Sequence, residues 1–219
     1  MNKHLIAPSI LSADFSKLQS EIEMINNSDA DWFHIDIMDG VFVPNISFGT
    51  PVMKAISKYA KKLLDVHLMI VDPERYIEHF VNFGSDIITV HFEACNDLSL
   101  VIKKIKKFKV KVGVAINPDT EISVLSNHIK NIDMVCLMGV FPGFSGQKFI
   151  EKTIHRCKEL SELIKDKNST CIIEIDGGVD SENAKKLLEN GAKVLVAGSH
   201  VFKSENPLKT ISKLKSIGN

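Results

Sequence analysis

Short β-branched runs alternate with amphipathic stretches along the whole chain, and this alternation limits the possible folds more than any other feature. The runs fall near residues 5–11, 32–38, 63–70, 86–93, 111–116, 133–140, 171–176 and 193–198. Between them apolar residues recur at helical spacing, as in Phe15, Leu18, Ile22 and Ile25. Thr50-Pro51, Asp72-Pro73 and Asn206-Pro207 each set a capping side chain before a first-turn proline, and Asp180 does similar work after residue 176. Gly84 and Gly191 stand where a helix ends in a left-handed residue. Eight strand runs, each followed by a helix, predict an α/β protein: one (β/α)8 TIM barrel spanning residues 1–219. An open doubly wound sheet is the rival. It usually has fewer strands and often a Gly-x-Gly-x-x-Gly after the first, and none follows Leu11.

Charge and composition narrow the function classes. Lys+Arg and Asp+Glu both number 27, so no net field draws the chain to nucleic acid or to an acidic membrane surface. Lys103 to Lys107 form a charged helix face over Ile102, Ile105 and Phe108, without the aromatic platform of a single-strand binder. The longest apolar runs are strand-sized, and Leu5 to Leu11 is broken by Pro8, so neither a membrane span nor a signal peptide is expected. Cys95, Cys136, Cys157 and Cys171 make no C-x-x-C pair, which suits reduced thiols in the cytoplasm.

Strand side chains alternate between faces, so His34, Asp36 and Met38 share one face, and Phe33, Ile35 and Ile37 the other. His67 lies in Leu64-Asp-Val-His-Leu-Met-Ile70, and Glu174 shares a face with Asp176. His34, Asp36, His67 and Asp176 all fall late in their strands, at the end where this fold carries its active site. Two imidazoles and two carboxylates either hold one divalent metal or form a hydrogen-bonded polar cluster inside the barrel. Asp36 and Asp176, on the second and seventh strands, can face each other across a substrate as acid and base, or serve as ligands alone. His91 and Glu93 share a face of the fourth strand with no partner in this quartet and read as buried support. His4, His79, His128, His155 and His200 read as solvated.

The loop Phe141-Pro-Gly-Phe-Ser-Gly-Gln-Lys-Phe149, the turn Asp176-Gly-Gly178 and the turn Ala197-Gly-Ser199 follow the last three strands. Glycines let backbone amides crowd an anion, and the loops after strands seven and eight are the usual phosphate site of the fold. Met38, Met69 and Met138 sit at or near the same end, either as core filling or as a flexible apolar lining.

Taken together these segments resemble the ribulose-phosphate 3-epimerase family. The likeness runs through Ala7-Pro-Ser-Ile-Leu-Ser-Ala-Asp14, His34-Ile-Asp-Ile-Met-Asp-Gly40, Phe42-Val-Pro-Asn45, Asp65-Val-His-Leu-Met69, Pro142-Gly-Phe-Ser-Gly-Gln147, Asp176-Gly-Gly-Val179 and Ala197-Gly-Ser199. It implies a barrel of the ribulose-phosphate-binding type and a cytoplasmic homo-oligomer acting on a small phosphosugar. It further implies one catalytic divalent ion (Zn²⁺, Fe²⁺, Mn²⁺ or Co²⁺) on His34, Asp36, His67 and Asp176. Asp36 would accept and Asp176 donate the proton in one direction, with the roles exchanged in reverse. Ser9 and His67 would contact the sugar. Gly143, Phe144, Ser145, Gly146, Gly177, Gly178, Gly198 and Ser199 would hold the phosphate end, and the three methionines would shield a 2,3-enediolate.

Two positions depart from the family pattern. Ser145-Gly146 stands where Gly-Gly is commoner, and Gly139 stands where Thr or Ser is; Gly139 is expected to loosen packing beside Met138. Related activities also fit the residues. They are a phosphoketose 3-epimerase acting on a six-carbon substrate such as D-allulose 6-phosphate, a metal-dependent phosphosugar lyase or hydrolase, and a non-catalytic phosphate-ligand binder.

Overall fold

The computed structural model describes residues 4–218. Eight parallel strands are present: β1 (Leu5–Pro8), β2 (Trp32–Met38), β3 (Leu63–Met69), β4 (Ile87–His91), β5 (Lys111–Ile116), β6 (Met134–Met138), β7 (Ile172–Asp176) and β8 (Ala192–Ala197). They lie in the order β1-β8-β7-β6-β5-β4-β3-β2. Ladders join all neighbours in that list, and the cylinder closes between β1 and β2 through the Ser9–His34 bridge and, lower down, the Asp31 amide donating to the Ile6 carbonyl at 2.8 Å.

Helices α1 (Leu18–Asn26), α2 (Thr50–Tyr59), α3 (Ile77–Val81), α4 (Leu98–Lys107), α5 (Lys152–Asp166), α6 (Ala184–Glu189), α7 (Ser199–Phe202) and α8 (Pro207–Ser216) complete the pattern. Their apolar faces pack on the outward strand residues. Ile22, Ile25, Met53, Ile56, Ile102 and Ile105 join Phe33, Ile35, Val66, Leu68, Ile88 and Val90 in one buried cluster. Each such side chain contributes about 1.5–3 kcal/mol by leaving water. Inside the cylinder, Trp32, Ile87, Met134 and Val194 fill the lower end, one from each even-numbered strand. This is the alternate-strand layering of the fold, and it plugs the bottom so that polar groups can occupy only the upper interior.

Several local expectations are corrected. The connection after β5 contains two 3₁₀ turns, Ile122–Leu125 and Ile129–Asn131, where an α-helix was expected. Its sequence, with Pro118 and scattered Ser and Asn, favours turns over a continuous helix. Thr50 is the first residue of α2, and its hydroxyl meets His79 instead of capping. Asp72 adopts a left-handed φ of 46° and makes no side-chain cap. Asn206 does cap α8, accepting from the Lys209 amide, and Asp180 accepts from the Glu182 and Asn183 amides. Gly84 and Gly191 have the positive φ expected of them. His4 is buried, with Nε2 2.9 Å from the Leu214 carbonyl. All four cysteines are free thiols, and no helix among the described residues is long and apolar enough to cross a membrane.

Candidate active site

The strand pleat brings the sequence quartet together. His34 and Asp36 point inward from β2, His67 from β3 and Asp176 from the last position of β7. The register pairs Asp36 with His67 on adjacent strands, and β7 reaches across the interior to supply the fourth group. Each residue offers one ligand atom within 4.8 Å of the others. Asp36 Oδ1 lies 3.3 Å from His34 Nε2 and 3.2 Å from His67 Nδ1. Asp176 Oδ2 lies 3.7 and 3.6 Å from the same two nitrogens.

His34 Nε2 is buried and has no hydrogen-bond partner. An orphaned donor or acceptor of this kind costs roughly 1–3 kcal/mol unless something else occupies its lone pair. The electrostatics bear on the same atom. Burial alone would lower the His34 pKa, yet the carboxylates of Asp36, Asp65 and Asp176 hold it well above the usual range. Burial likewise opposes ionisation of Asp36 and Asp176, and the His34 and His67 imidazoles overcome it and lower both. The pocket therefore draws positive charge to its centre. Two imidazoles, neutral once they bind a metal, and two carboxylates carry the charge and donor types that suit a divalent ion, so the residues fit that group.

Beneath the quartet lies a support that sequence reading missed. His34 Nδ1 is 2.6 Å from Asp65 Oδ2, and Thr89 Oγ1 donates to Asp65 Oδ1 at 3.2 Å. Thr89 has room there because Gly113 faces it: a Cβ on Gly113 would stand 2.1 Å from Thr89 Oγ1. Glu174 sits beside them with neither carboxyl oxygen hydrogen-bonded. Burial, reinforced by the Asp65 carboxylate, pushes its pKa well up. The usable signal was the period-two recurrence of polar residues in Asp65/His67 and Glu174/Asp176, which marks more than one inward layer.

His91 is also joined to the quartet, contrary to expectation. Its Nε2 lies 2.9 Å from His67 Nε2, with the rings stacked at 22° and 4.9 Å between centroids. Glu93 lies not on β4 but in the 3₁₀ turn Phe92–Ala94 that follows it, with Oε2 3.2 Å from His91 Nδ1. Burial, assisted by the neighbouring His67, takes the His91 pKa down to about 4 despite Glu93.

Above the quartet opens a cavity of about 600 Å³. Ser9, Asp36, Asp176, Met38, Met69 and Met138 form its floor, and Ser9 donates to Asp36 Oδ2 at 2.5 Å. His67 was expected to touch the sugar as well, but it is fully buried and forms no part of the cavity wall. The Gly143–Gly146 loop, Gly177, Gly178, Gly198 and Ser199 line the opposite side. Gly178 has φ +68°, and a Cβ there would lie 2.8 Å from Phe149 Cα, so the turn needs glycine on both counts. Ser145 keeps an ordinary φ and its hydroxyl accepts from Ser12 at 3.0 Å. Lys203, unremarked in the sequence, brings its Nζ to 3.7 Å from where a Gly146 Cβ would stand. Gly139 leaves no slack: an added Cβ would meet the Gly177 carbonyl at 2.2 Å and the Phe149 ring at 3.0 Å.

Barrel and site together define a (β/α)8 protein with a buried His₂Asp₂ cluster opposite a glycine-rich cradle. Solved structures share the architecture at low identity. A KGPDC from Streptococcus mutans aligns over all of both chains with TM-score 0.74 and 13% identity. An orotidine 5'-phosphate decarboxylase from Pyrococcus horikoshii aligns over 96% of this chain and 97% of its own, with TM-score 0.69 and 12% identity. The sequence is far more specific. Residues 5–202 match the model of the ribulose-phosphate 3 epimerase family, and the chain belongs to that family of isomerases. The ribulose-phosphate 3-epimerase of Bacillus subtilis is 45% identical over 96% of this chain and 97% of its own. That of a Synechocystis strain is 42% identical over 99% and 95%. A chloroplastic Arabidopsis thaliana relative is 40% identical over 97% and 76%.

Proposed function

We propose that the protein interconverts D-ribulose 5-phosphate and D-xylulose 5-phosphate, with Asp36 and Asp176 as the acid–base pair. The observation that carries this reading is the quartet itself, with its two carboxylates on the floor of a phosphosugar-sized cavity in a member of this family. The proton on C3 is acidic because the C2 ketone adjoins it. Asp36 takes that proton, leaving a 2,3-enediolate, and Asp176 returns one to the opposite face of the carbon. In reverse the two exchange roles, and no electrons leave the substrate. Ser9 holds the Asp36 carboxylate in one orientation through its hydroxyl. His34, Asp36, His67 and Asp176 would hold a divalent ion, which would supply positive charge to the developing oxyanion. Met38, Met69 and Met138 keep water from the intermediate, and the glycine-rich loops orient the substrate through its phosphate.

The test is a coupled assay with ribulose 5-phosphate before and after chelation, with elemental analysis of the same sample. In deuterated solvent the C3 proton should exchange without loss of phosphate or carbon fragments. Release of phosphate or a carbon fragment would instead indicate a hydrolase or lyase. Faster turnover of D-allulose 6-phosphate would move the assignment to the hexose phosphate.

A further inference from the structure

We infer that Glu93 and His91 are positioning residues that hold His67 in the tautomer whose Nδ1 is a bare lone pair facing Asp36 and Asp176. The inference rests on the metal reading above and names residues outside the quartet that prepare it.

The warrant is an inventory of hydrogens. The Nε2 atoms of His67 and His91 lie 2.9 Å apart, so one ring donates and the other accepts. Suppose His91 donated. A neutral His91 would then turn a lone pair from Nδ1 toward Glu93 Oε2 at 3.2 Å, setting two acceptors against each other. His67 would also carry its own hydrogen on Nδ1, where a ligand atom is needed. With His67 donating, both remote contacts are satisfied, and His67 Nδ1, 3.2 Å from Asp36 Oδ1 and 3.6 Å from Asp176 Oδ2, is left to share a cation with those carboxylates. His67 Nε2–H meets His91 Nε2, and His91 Nδ1–H meets Glu93.

Glu93 is itself fixed in the accepting role. Its Oε1 receives the Asn117 amide at 2.8 Å and the Thr120 hydroxyl, which anchors it to the segment following β5. Both imidazoles are fully buried, and the Phe42 ring packs against His91 with centroids 4.8 Å apart. His34 is served in the same way by Asp65 at its Nδ1, so each histidine of the quartet has its remote nitrogen engaged.

The test measures Co²⁺ binding to the metal-free full-length chain by competition with a chromophoric chelator, together with the visible spectrum of the bound ion. His91→Phe should weaken the dissociation constant about 10–100-fold, the range typical for loss of such a supporting group. His91→Gln, whose side-chain carbonyl can accept from His67, should recover most of that loss, and Glu93→Gln should fall between. Nitrogen-15 NMR of the Zn²⁺-loaded wild type should place the His67 hydrogen on Nε2. An unchanged Co²⁺ affinity and spectrum in His91→Phe, or a His67 hydrogen on Nδ1, would overturn the relay. Should His91→Phe fail to fold, the wild-type NMR measurement decides. Absence of Co²⁺ binding by the wild type would overturn the metal reading and the relay together; wild-type binding that His91→Phe shares overturns the relay alone.

Discussion

On one side of the cavity, His34, Asp36, His67 and Asp176 reach inward from strands; on the other, Gly177, Gly178, Gly198 and Ser199 offer main chain from turns. The first side is made of side chains whose value lies in what they are and in the register that aligns them. The second depends on what is missing, since a Cβ at Gly178 would strike Phe149 and one at Gly198 would stand 2.6 Å from Ser12 Oγ. Substitutions should therefore separate the two. A change in the quartet alters chemistry and leaves shape, and a change in the cradle alters shape and leaves chemistry.

The sharpest test of that division is Asp36→Asn. It keeps volume while removing a proton acceptor and ligand charge, so kcat should fall about 10³–10⁴-fold. Inhibition by inorganic phosphate should be unchanged, and a parallel loss of phosphate affinity would break the division. Gly178→Ala should do the reverse. Alanine at φ +68° and in contact with Phe149 must displace the turn, so KM should rise about tenfold or more, for a local cost of at least 1–2 kcal/mol. Co²⁺ affinity should stay at the wild-type value.

Asp39→Asn probes the roof over the quartet. Asp39 Oδ1 accepts from the Val41 and Phe42 amides and Oδ2 from Val71, tying the loop after β2 to the one after β3. The substitution should cost about 1 kcal/mol in denaturant unfolding. Burial works to raise this carboxyl, but the amides of Val71, Val41 and Phe42 outweigh it and hold it below the ordinary 3.8. A depressed folded value means the stabilisation is complete above about pH 4 and fades as pH falls through that value. The gap between Asp39→Asn and wild type should accordingly narrow in acid. The smallest effect is expected for Ser145→Gly, which removes the exposed Ser12–Ser145 hydrogen bond. A KM within about threefold of wild type would show that the cradle relies little on side chains.

The same contrast explains what could be read before any coordinates. His34, Asp36, His67 and Asp176 announced themselves because a period-two pattern assigns a face, and charged groups on an inward face need a reason. The glycine-rich turns were visible because their residue types are restrictive. His91 was misjudged because a contact across strands depends on register and stagger, which one strand's own residues do not contain. Its turn partner Glu93 was placed on the strand for lack of any signal that β4 stops at His91. Asp65 and Glu174 carried the right pattern, but their burial beneath the quartet depends on how deep the apolar plug from Trp32 and Met134 reaches. The 3₁₀ connection after β5 shows that a barrel tolerates a poor helix where neighbouring packing suffices.

The closure between β1 and β2 has a consequence for durability. A wall laddered along every joint but one will part first at that joint, and of the few stitches there the upper one, Ser9 to His34, adjoins the hydroxyl that steadies Asp36. Warming should therefore silence the protein before it melts, as the loosened hem lets its proton carrier swing while the rest of the cylinder stands.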